Sequence, residues 1–281
     1  MYLFQRFKDY STFIDKHVLP GKKTGLVPTM GALHRGHFSL LAAAAEQADV
    51  TVLSIFVNPL QFNNTEDFKK YPATLRDDIL NLEQRNCDVL LTPSFAEVYP
   101  GGQQVSVDFD LGDLDNIWEG QHRPGHFRGV CLAVDALLSA IKPDLIFLGQ
   151  KDYQQCLVIK KMMADKRHQA EVIVCPTVRE PSGLALSSRN MRLTPEGCDT
   201  ASQLFKELSF LKDNLPKIPF SQLHDASLAR LKNHEFDVEY LALADADSLQ
   251  PAEKLETGKK YVLLVAAWLE GVRLIDNLII G

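Results

Sequence analysis

The chain has 281 residues, 46% of them hydrophobic and 23% charged, and 30 basic against 36 acidic residues give a net charge of −6. This composition is that of an ordinary globular protein and excludes collagen-like, disordered and disulfide-scaffold classes. No apolar run approaches the ~20 residues of a membrane-spanning helix, and no cluster of five or more Lys or Arg indicates a nucleic-acid or membrane surface.

Strand-like and helical patterns alternate along the first 180 residues. Short apolar runs predict strands at 24–27, 50–57, 88–91, 105–109, 144–148 and 171–178. Apolar residues at helical spacing predict helices at 37–47, 74–85, 129–141 and 153–166. Such alternation predicts an α/β fold with a Rossmann-like parallel sheet, covered by helices on both faces.

The pattern changes at the turn-rich segment Glu180-Pro181-Ser182-Gly183. Helical stretches at 195–212 and 221–233 follow, and then strand-like runs at 238–244, 261–269 and 272–280. We therefore expect two domains, a Rossmann-like domain over residues 1–180 and a smaller α+β C-terminal domain over residues 181–281.

The segment Pro28-Thr29-Met30-Gly31-Ala32-Leu33-His34-Arg35-Gly36-His37 joins the 24–27 strand to a helix. Its glycines allow a tight turn and close approach of a ligand, and the helix start offers free N–H groups and partial positive charge. Two imidazoles three residues apart can reach the same phosphate. A zinc pair or two surface histidines are the alternatives, but no cysteine or carboxylate lies at ligand spacing. The HxGH form in a strand–turn–helix context favours nucleotidyl transfer.

Two loops carry side chains suited to a small polar ligand. Asn58 and Gln61 follow a buried strand that Pro59 ends, and amides suit hydroxyls and carboxylates. A simple turn is an equally good interpretation. Arg123 lies in a Gly/Pro loop and offers a planar fork for carboxylate or phosphate, although a solvated basic loop is the commoner case.

Two later segments carry groups suited to phosphate. Lys151 and Asp152 follow a strand that ends in glycine, where lysine can bind phosphate and aspartate can hold Mg²⁺ directly or through water. Ser187-Ser188-Arg189 lies on a loop after the turn-rich break and could clamp a triphosphate. A helix cap is the alternative interpretation of each.

The cysteines indicate a reducing compartment. Five of them occur at wide spacing without a CxxC, which fits reduced thiols in a cytoplasm better than a disulfide framework. Charges near the start of the sequence do not resemble a signal peptide. We therefore expect a cytoplasmic protein. From the charge pattern and the polar loops above, we expect its partners to be small molecules, and we expect it to bind neither nucleic acid nor a membrane.

In order, the segments PTMGALHRGH, FVNPLQF, RPGHFRGV, LGQKDYQQ and LSSRN resemble the pantoate–β-alanine ligase family of the HxGH nucleotidyl-transferase superfamily, over nearly the whole chain. The resemblance implies that pantoate carboxylate attacks the α-phosphorus of ATP, giving pantoyl adenylate and pyrophosphate. The amine of β-alanine then attacks the acyl carbon, releasing pantothenate and AMP. It also implies Mg²⁺, a homodimer, and binding of nucleotide and pantoate by the 1–180 domain.

The same resemblance assigns the site residues. His37, His34 and Lys151 would be catalytic, stabilising charge on the α-phosphorus and pyrophosphate; His37 is the usual proton donor, but spacing places His34 equally well. Gln61 and Gln155 would hold pantoate, with Asn58 in support and Arg123 contacting a carboxylate, and Asp152 would hold the metal. The ATP site would comprise Met30, Gly31, Ala32, Leu33, His34, Arg35, Gly36, His37, Gly149, Gln150, Lys151, Asp152, Val178, Leu186, Ser187, Ser188 and Arg189.

Two residues depart from the family pattern. Ser182 stands where Asp is common, and Leu186 where Met is frequent. Leucine keeps the volume of methionine, so packing against adenine can survive, whereas Ser182 removes a charge from the loop.

Two alternative functions stay open: a transferase in which a phosphate attacks ATP, and a catalytically silent nucleotide-binding protein.

Overall fold

The computed structural model describes residues 1–102 and 109–281, which form two compact units. One unit comprises residues 1–150 and 155–176, and the other residues 151–154 and 177–281. The strands are β1 (Tyr2–Phe4), β2 (Thr24–Thr29), β3 (Val50–Ile55), β4 (Val89–Leu91), β5 (Leu145–Gly149), β6 (Glu171–Cys175), β7 (Asp237–Asp245), β8 (Tyr261–Leu269) and β9 (Val272–Ile280).

The helices follow the same chain order. They are α1 (Phe7–His17), α2 (Arg35–Gln47), α3 (Thr65–Lys69), α4 (Leu75–Glu83), α5 (Phe95–Val98), α6 (Glu119–His122), α7 (His126–Ile141), α8 (Tyr153–Lys166), α9 (Pro195–Ala201), α10 (Gln203–Asn214) and α11 (Phe220–Asn233). Short 3-10 turns include Pro59–Gln61, Gln150–Asp152 and Ser188–Arg192. Among the described residues, we find no helix with both the length and the apolar character needed to span a bilayer.

In the first unit the strands form a parallel sheet with the order β1-β4-β3-β2-β5-β6. The chain moves outward from β2 through β3 to β4, and then returns to place β5 on the other side of β2. This reversal is a topological switch point, and ligands of open α/β sheets bind outside the carboxyl ends of the strands there. The α/β prediction is confirmed, and the segments after β2 and β5 lie at the position it favours.

Close packing of α2 on the sheet holds this edge in place. Leu53 and Leu90 in neighbouring strands are fully buried, and Leu41 of α2 is 1% exposed. A Cβ on Gly25 would lie 3.0 Å from the Cβ of Ala48, so glycine in β2 permits this close approach. Burial of each such leucine side chain stabilises the folded state by about 1.5–3 kcal/mol. The packed sheet therefore holds the turns at its edge in fixed positions.

The second unit contains an antiparallel sheet, β7-β8-β9, covered by helices. Leu263, Val265 and Ala267 alternate along β8 and pack in one cluster with Leu208 and Leu211 of α10. Alternation of this kind places every second residue of a strand on the core face. The prediction of a smaller α+β region is confirmed by these elements.

Most predicted elements occur within a few residues of their expected bounds, and the differences have local causes. Strand β6 ends at Cys175 rather than at residue 178, because Pro176 has no N–H to donate to a ladder. The stretch 195–212 divides into α9 and α10 at Ser202, whose hydroxyl donates to the Asp199 carbonyl. The strand predicted at 105–109 falls largely on residues outside the described ranges, and β1 and α1 were not predicted.

Candidate active site

The turn after β2 requires unusual backbone angles. Gly31 has φ +78° and Ala32 has φ +50°, both in the left-handed region. A Cβ at Gly31 would lie 3.0 Å from Cγ2 of Ile55, so only glycine fits without displacement. The Thr29 hydroxyl accepts from the Gly31 N–H at 3.2 Å and donates to the Ser54 carbonyl at 2.8 Å. The turn is therefore tied to β3.

A buried carboxylate organises the same turn from α4. Asp78 is 2% exposed and accepts from the N–H groups of Ala32 at 3.0 Å and Leu33 at 2.8 Å. The Thr74 hydroxyl donates to it at 3.2 Å. Because the carboxylate receives three donors, it fixes the backbone just ahead of the histidine pair.

The two motif histidines cap α2 reciprocally. His34 Nδ1 accepts from the Gly36 N–H at 3.1 Å, and His37 Nδ1 accepts from the His34 N–H at 3.2 Å. The ring centroids lie 4.1 Å apart. Since each Nδ1 is an acceptor, each neutral ring carries its proton on Nε2. Unlike the sequence-based expectation, the Gly36 N–H is used within the turn, and the ring Nε2–H groups are the donors suited to a ligand.

The predicted amide pair forms one hydrogen-bonded unit. Asn58 is 1% exposed and donates through Nδ2 to Gln61 Oε1 at 3.1 Å and to the Gly129 carbonyl at 2.9 Å. Its Oδ1 accepts from the Tyr99 hydroxyl at 3.0 Å, and burial raises the pKa of Tyr99, which keeps it a donor. Gln61 Nε2 then lies 2.9 Å from the sulfur of Met30. Asn58 therefore orients the Gln61 amide rather than serving as an open ligand group.

Arg123 and His126 hold the backbone of the turn that carries Gln61. His126, 5% exposed, donates through Nδ1 to the Gln61 carbonyl at 2.7 Å and accepts on Nε2 from Arg123 at 3.0 Å. A guanidinium can only donate, which fixes this tautomer. The Arg123 guanidinium also lies 3.7 Å from the Glu119 carboxylate.

A cavity of about 590 Å³ adjoins the turn within the first unit. Met30, Gly31 and Ala32 form part of its wall, and most of the remaining lining is apolar. Asp78, already bonded to the turn, and Thr92 are among its polar lining residues, and within the described residues the Thr92 hydroxyl oxygen has no hydrogen-bond partner. The cavity suits an apolar group better than a charged one.

The segment after β5 contributes residues to both units. Gly149, Gln150 and Gln155 belong to the first unit, whereas Lys151 and Asp152 belong to the second. A Cβ on Gly149 would meet nothing within 4 Å, so the backbone is open there. The Lys151 ammonium is 3.7 Å from the Asp152 carboxylate, and the side chains are 17% and 47% exposed. Within the described residues, we find no group of three or more His, Cys, Asp or Glu side chains that forms a metal site.

The Ser-Ser-Arg segment of the second unit is anchored at its base. Leu186 N–H donates to the Val178 carbonyl at 3.0 Å, and Ser187 caps the 3-10 turn through a 3.3 Å bond from the Arg189 N–H. Asn190 Nδ2 donates to the Ala185 carbonyl at 3.0 Å. The loop is therefore held on both sides of Ser187 and Ser188.

The predicted residues thus fall into two groups. Within the first unit the structure joins Met30, Gln61, Asn58 and Arg123 through one network, next to the turn that bears the histidines. Within the second unit lie Lys151, Asp152, Val178, Leu186, Ser187, Ser188 and Arg189.

Asp78, Tyr99 and His126 were missed as supporting residues. One signal existed for Asp78: Leu75, Ile79 and Leu82 form an apolar stripe on α4, and a carboxylate within that stripe needs a partner. Tyr99 and His126 acquire their roles only through tertiary contacts.

The switch point of the parallel sheet, followed by a strand–turn–helix with a histidine cap, is the arrangement typical of an anion- or nucleotide-binding site in an open α/β sheet. A model of the pantoate-beta-alanine ligase family matches residues 2–279. The pantothenate synthetase of Cytophaga hutchinsonii is 45% identical over 259 residues, 91% of each chain. This chain therefore belongs to the pantoate–β-alanine ligase family, and the ATP-dependent joining of pantoate to β-alanine is its reaction.

Solved structures agree with this assignment. The pantothenate synthetase of Thermus thermophilus has a TM-score of 0.90 and 37% identity, covering 99% of both chains. The pantoate-beta-alanine ligase of Francisella tularensis, solved with "Beta-gamma ATP and Beta-alanine", has a TM-score of 0.83 and 36% identity, covering 99% of this chain and 97% of that one.

Proposed function

We propose that the histidine-capped turn binds the phosphates of ATP while pantoate attacks the α-phosphorus. The reciprocal cap of His34 and His37 is the observation that supports this most directly. It fixes both rings as Nε2–H donors, and preorganised donors stabilise charge that develops in a transition state. The positive end of the α2 dipole adds to this effect. Since the cap treats the rings alike, we assign both as donors to the phosphates.

Pantoate is held on this proposal by Gln61 and Gln155. Asn58 holds Gln61 Oε1, and Gln61 Nε2 lies 2.9 Å from the Met30 sulfur. On this proposal, Nε2 exchanges that weak acceptor for a hydroxyl or carboxylate oxygen of pantoate. His126 and Arg123 hold the backbone of the same turn. The first unit then serves as the nucleotide- and pantoate-binding domain. The carboxylate oxygen forms a bond to the α-phosphorus as the bond to pyrophosphate breaks, and β-alanine later displaces AMP from the acyl carbon.

Lys151 and the segment Ser187-Ser188-Arg189 would neutralise the remaining phosphate charge, and Gly149 and Gln150 would lie along the nucleotide. Asp152 suits Mg²⁺ because it is half-exposed and Mg²⁺ commonly takes one carboxylate with substrate phosphates and waters. When bound, the ion would supply positive charge to the phosphates.

We also propose a homodimer, on the family resemblance. We propose a cytoplasmic location as well, and it is supported by five cysteines that are all thiols and form no disulfide.

Isotope exchange between pyrophosphate and ATP tests the site. Exchange should require pantoate but not β-alanine, and His37→Ala and Lys151→Ala should each reduce it by about 10² or more. The matched controls are His17→Ala and Lys160→Ala, at exposed positions, which should leave exchange unchanged. Near-normal exchange in both site variants would show that the chemistry lies elsewhere, and exchange without pantoate would refute the substrate pairing. Sedimentation velocity would test the dimer.

A further inference from the structure

Lys151 is attached to the C-terminal sheet through its backbone. Asn277 of β9, 2% exposed, donates through Nδ2 to the Lys151 carbonyl at 2.8 Å. Two residues further on, the Tyr153 hydroxyl donates to the Ala246 carbonyl at 2.8 Å. These two bonds explain why residues 151–154 form part of the second unit, although they follow β5 in the chain.

A buried ion pair lies next to Asn277 on the same strand. Asp276 is 4% exposed. Its carboxylate accepts hydrogen bonds from both terminal guanidinium nitrogens of Arg179, at 2.5 and 2.8 Å, and from the Asn277 N–H at 2.7 Å. Arg179 donates further to the Asn277 carbonyl at 3.3 Å and stacks on the ring of Phe205 at 4.0 Å. The fork of Arg179 therefore fixes the backbone from which the Asn277 side chain projects.

The same arginine holds the base of the Ser-Ser-Arg segment. Arg179 forms a β-bridge with Ala185, two residues before Ser187, and donates to the Gly183 carbonyl at 3.1 Å. One network thus runs from the Ser-Ser-Arg segment through Arg179, Asp276 and Asn277 to the peptide of Lys151.

We propose that Asn277 and the Arg179–Asp276 pair are positioning residues that set Lys151 in fixed register with Ser187-Ser188-Arg189 for phosphate binding. This rests on the proposed role of Lys151. The lysine ammonium is carried on a flexible side chain, so its position varies. Fixing the Lys151 backbone narrows the range of positions that the ammonium can reach. The network residues touch no substrate in this proposal; they act through Lys151.

The test separates positioning from simple stabilisation. Asn277→Ala should lower pantoate-dependent ATP–pyrophosphate exchange by about 10-fold or more and raise KM for ATP. Its rate with supplied pantoyl adenylate and β-alanine should stay near that of the parent protein. The matched control is Asn214→Ala, which removes a similar 2.8 Å bond from a partly exposed asparagine to the Phe210 carbonyl of the same unit and should alter neither rate. Equal losses in both half-reactions of Asn277→Ala would overturn the proposal.

A double-mutant cycle supplies the second arm. In a Lys151→Ala background, Asn277→Ala should cause no further loss of exchange, because there is no ammonium left to position. Additive losses would overturn the proposal. If Lys151→Ala alone left exchange intact, the role of Lys151 itself would fail and the proposal with it. If Asn277→Ala fails to fold, Arg179→Lys, which keeps the charge but loses the fork, should give the same selective loss.

Discussion

At the scale of single residues, the site depends on groups that hold other groups. Asp78 accepts from the backbone N–H groups of Ala32 and Leu33 in the β2–α2 turn. These N–H groups belong to the residues directly before His34, so the charge of Asp78 sets the path by which the chain enters α2. A buried carboxylate that accepts backbone N–H groups is costly to replace, since the donors lose their partner without regaining water.

We predict that Asp78→Asn lowers the free energy of unfolding by about 1–3 kcal/mol and reduces ATP–pyrophosphate exchange. The amide keeps one acceptor oxygen but turns an NH₂ group toward one of the two backbone N–H groups, because each carboxylate oxygen accepts one of them. Urea unfolding and exchange rates measure the two effects. The control is Asp77→Asn, exposed on the same helix, which should change neither. Full exchange activity in Asp78→Asn would show that the turn does not need this carboxylate.

The histidine pair shows what spacing predicts and where it fails. A three-residue interval following a strand predicts two rings near one phosphate. It does not predict that each Nδ1 caps the helix, because a cap depends on the angles of Gly31 and Ala32 and on Asp78 from a distant helix. The same holds for the amides of Asn58 and Gln61. The sequence predicted that they follow the end of a strand, but it did not predict that Asn58 is buried.

At the scale of elements, glycine in α7 sets how closely that helix meets the 59–61 turn. A Cβ on Gly129 would overlap the backbone carbonyl of Leu60, and the Gly129 carbonyl accepts from Asn58. Helical periodicity predicted α7 because its apolar side chains recur regularly. It carries no information on which small residue faces a neighbouring backbone.

Gly129→Ala should therefore displace α7 from the 59–61 turn, destabilise the protein by about 1–3 kcal/mol and raise KM for pantoate. The expectation follows from backbone overlap, which side-chain rotation cannot relieve. Thermal unfolding and pantoate titrations measure it. Ser139→Ala, exposed on the same helix, serves as control and should leave KM unchanged. An unaltered KM in Gly129→Ala would mean that α7 does not position Gln61.

The β8–β9 hairpin holds the start of α9 through one carboxylate. Glu270 accepts from the Thr194 N–H at 2.8 Å and hydroxyl at 2.6 Å, and these bonds lower the pKa of Glu270. Because the folded-state pKa is lowered, the carboxylate stabilises the fold above the unfolded glutamate value of about 4.3, and this contribution is lost as pH falls through the folded value.

Glu270→Gln should consequently melt at lower temperature than the parent protein at pH 7, and the difference should shrink as pH falls below about 4.3. Thermal melts between neutral and acid pH measure the difference. Glu253→Gln, at an exposed position, is the control and should track the parent protein throughout. A difference that persists unchanged at low pH would assign the effect to packing, not to the charge.

At the scale of the whole molecule, a net charge of −6 gives no general attraction for anionic substrates, and the proposed site answers this with local donors. The proposed phosphate ligands are two imidazoles, one ammonium and one guanidinium. The imidazoles are fixed by the cap of α2, and the ammonium lies 3.7 Å from the Asp152 carboxylate. The sequence predicted the histidines and Lys151 at one edge of the sheet because they follow parallel strands, and their role in binding phosphate stays a prediction. It did not assign Lys151 to the second unit, since chain neighbours are not always packing neighbours.

The cysteines provide a prediction about the molecule as a whole. All five are thiols outside any disulfide, four are buried, and Cys198 is partly exposed. Burial raises the pKa of Cys87 and of Cys131 to about 12, and it also raises the pKa of Cys175 and Cys198. At pH 8 a thiol with a pKa near 12 is ionised in only about one molecule in 10⁴, and the thiolate is the species that reacts.

Ellman's reagent should therefore label at most one thiol of the native protein quickly, and five after denaturation. The Cys198→Ala variant should remove the fast reaction while the slow labelling persists. That slow labelling requires local opening, so its rate should rise in Gly129→Ala, which loosens the helix bearing Cys131. ATP–pyrophosphate exchange should be unaffected by the reagent, since the adenylate route uses no sulfur nucleophile. Two or more rapidly labelled thiols would contradict the closed core, and exchange lost with the first label would place a cysteine in the reaction.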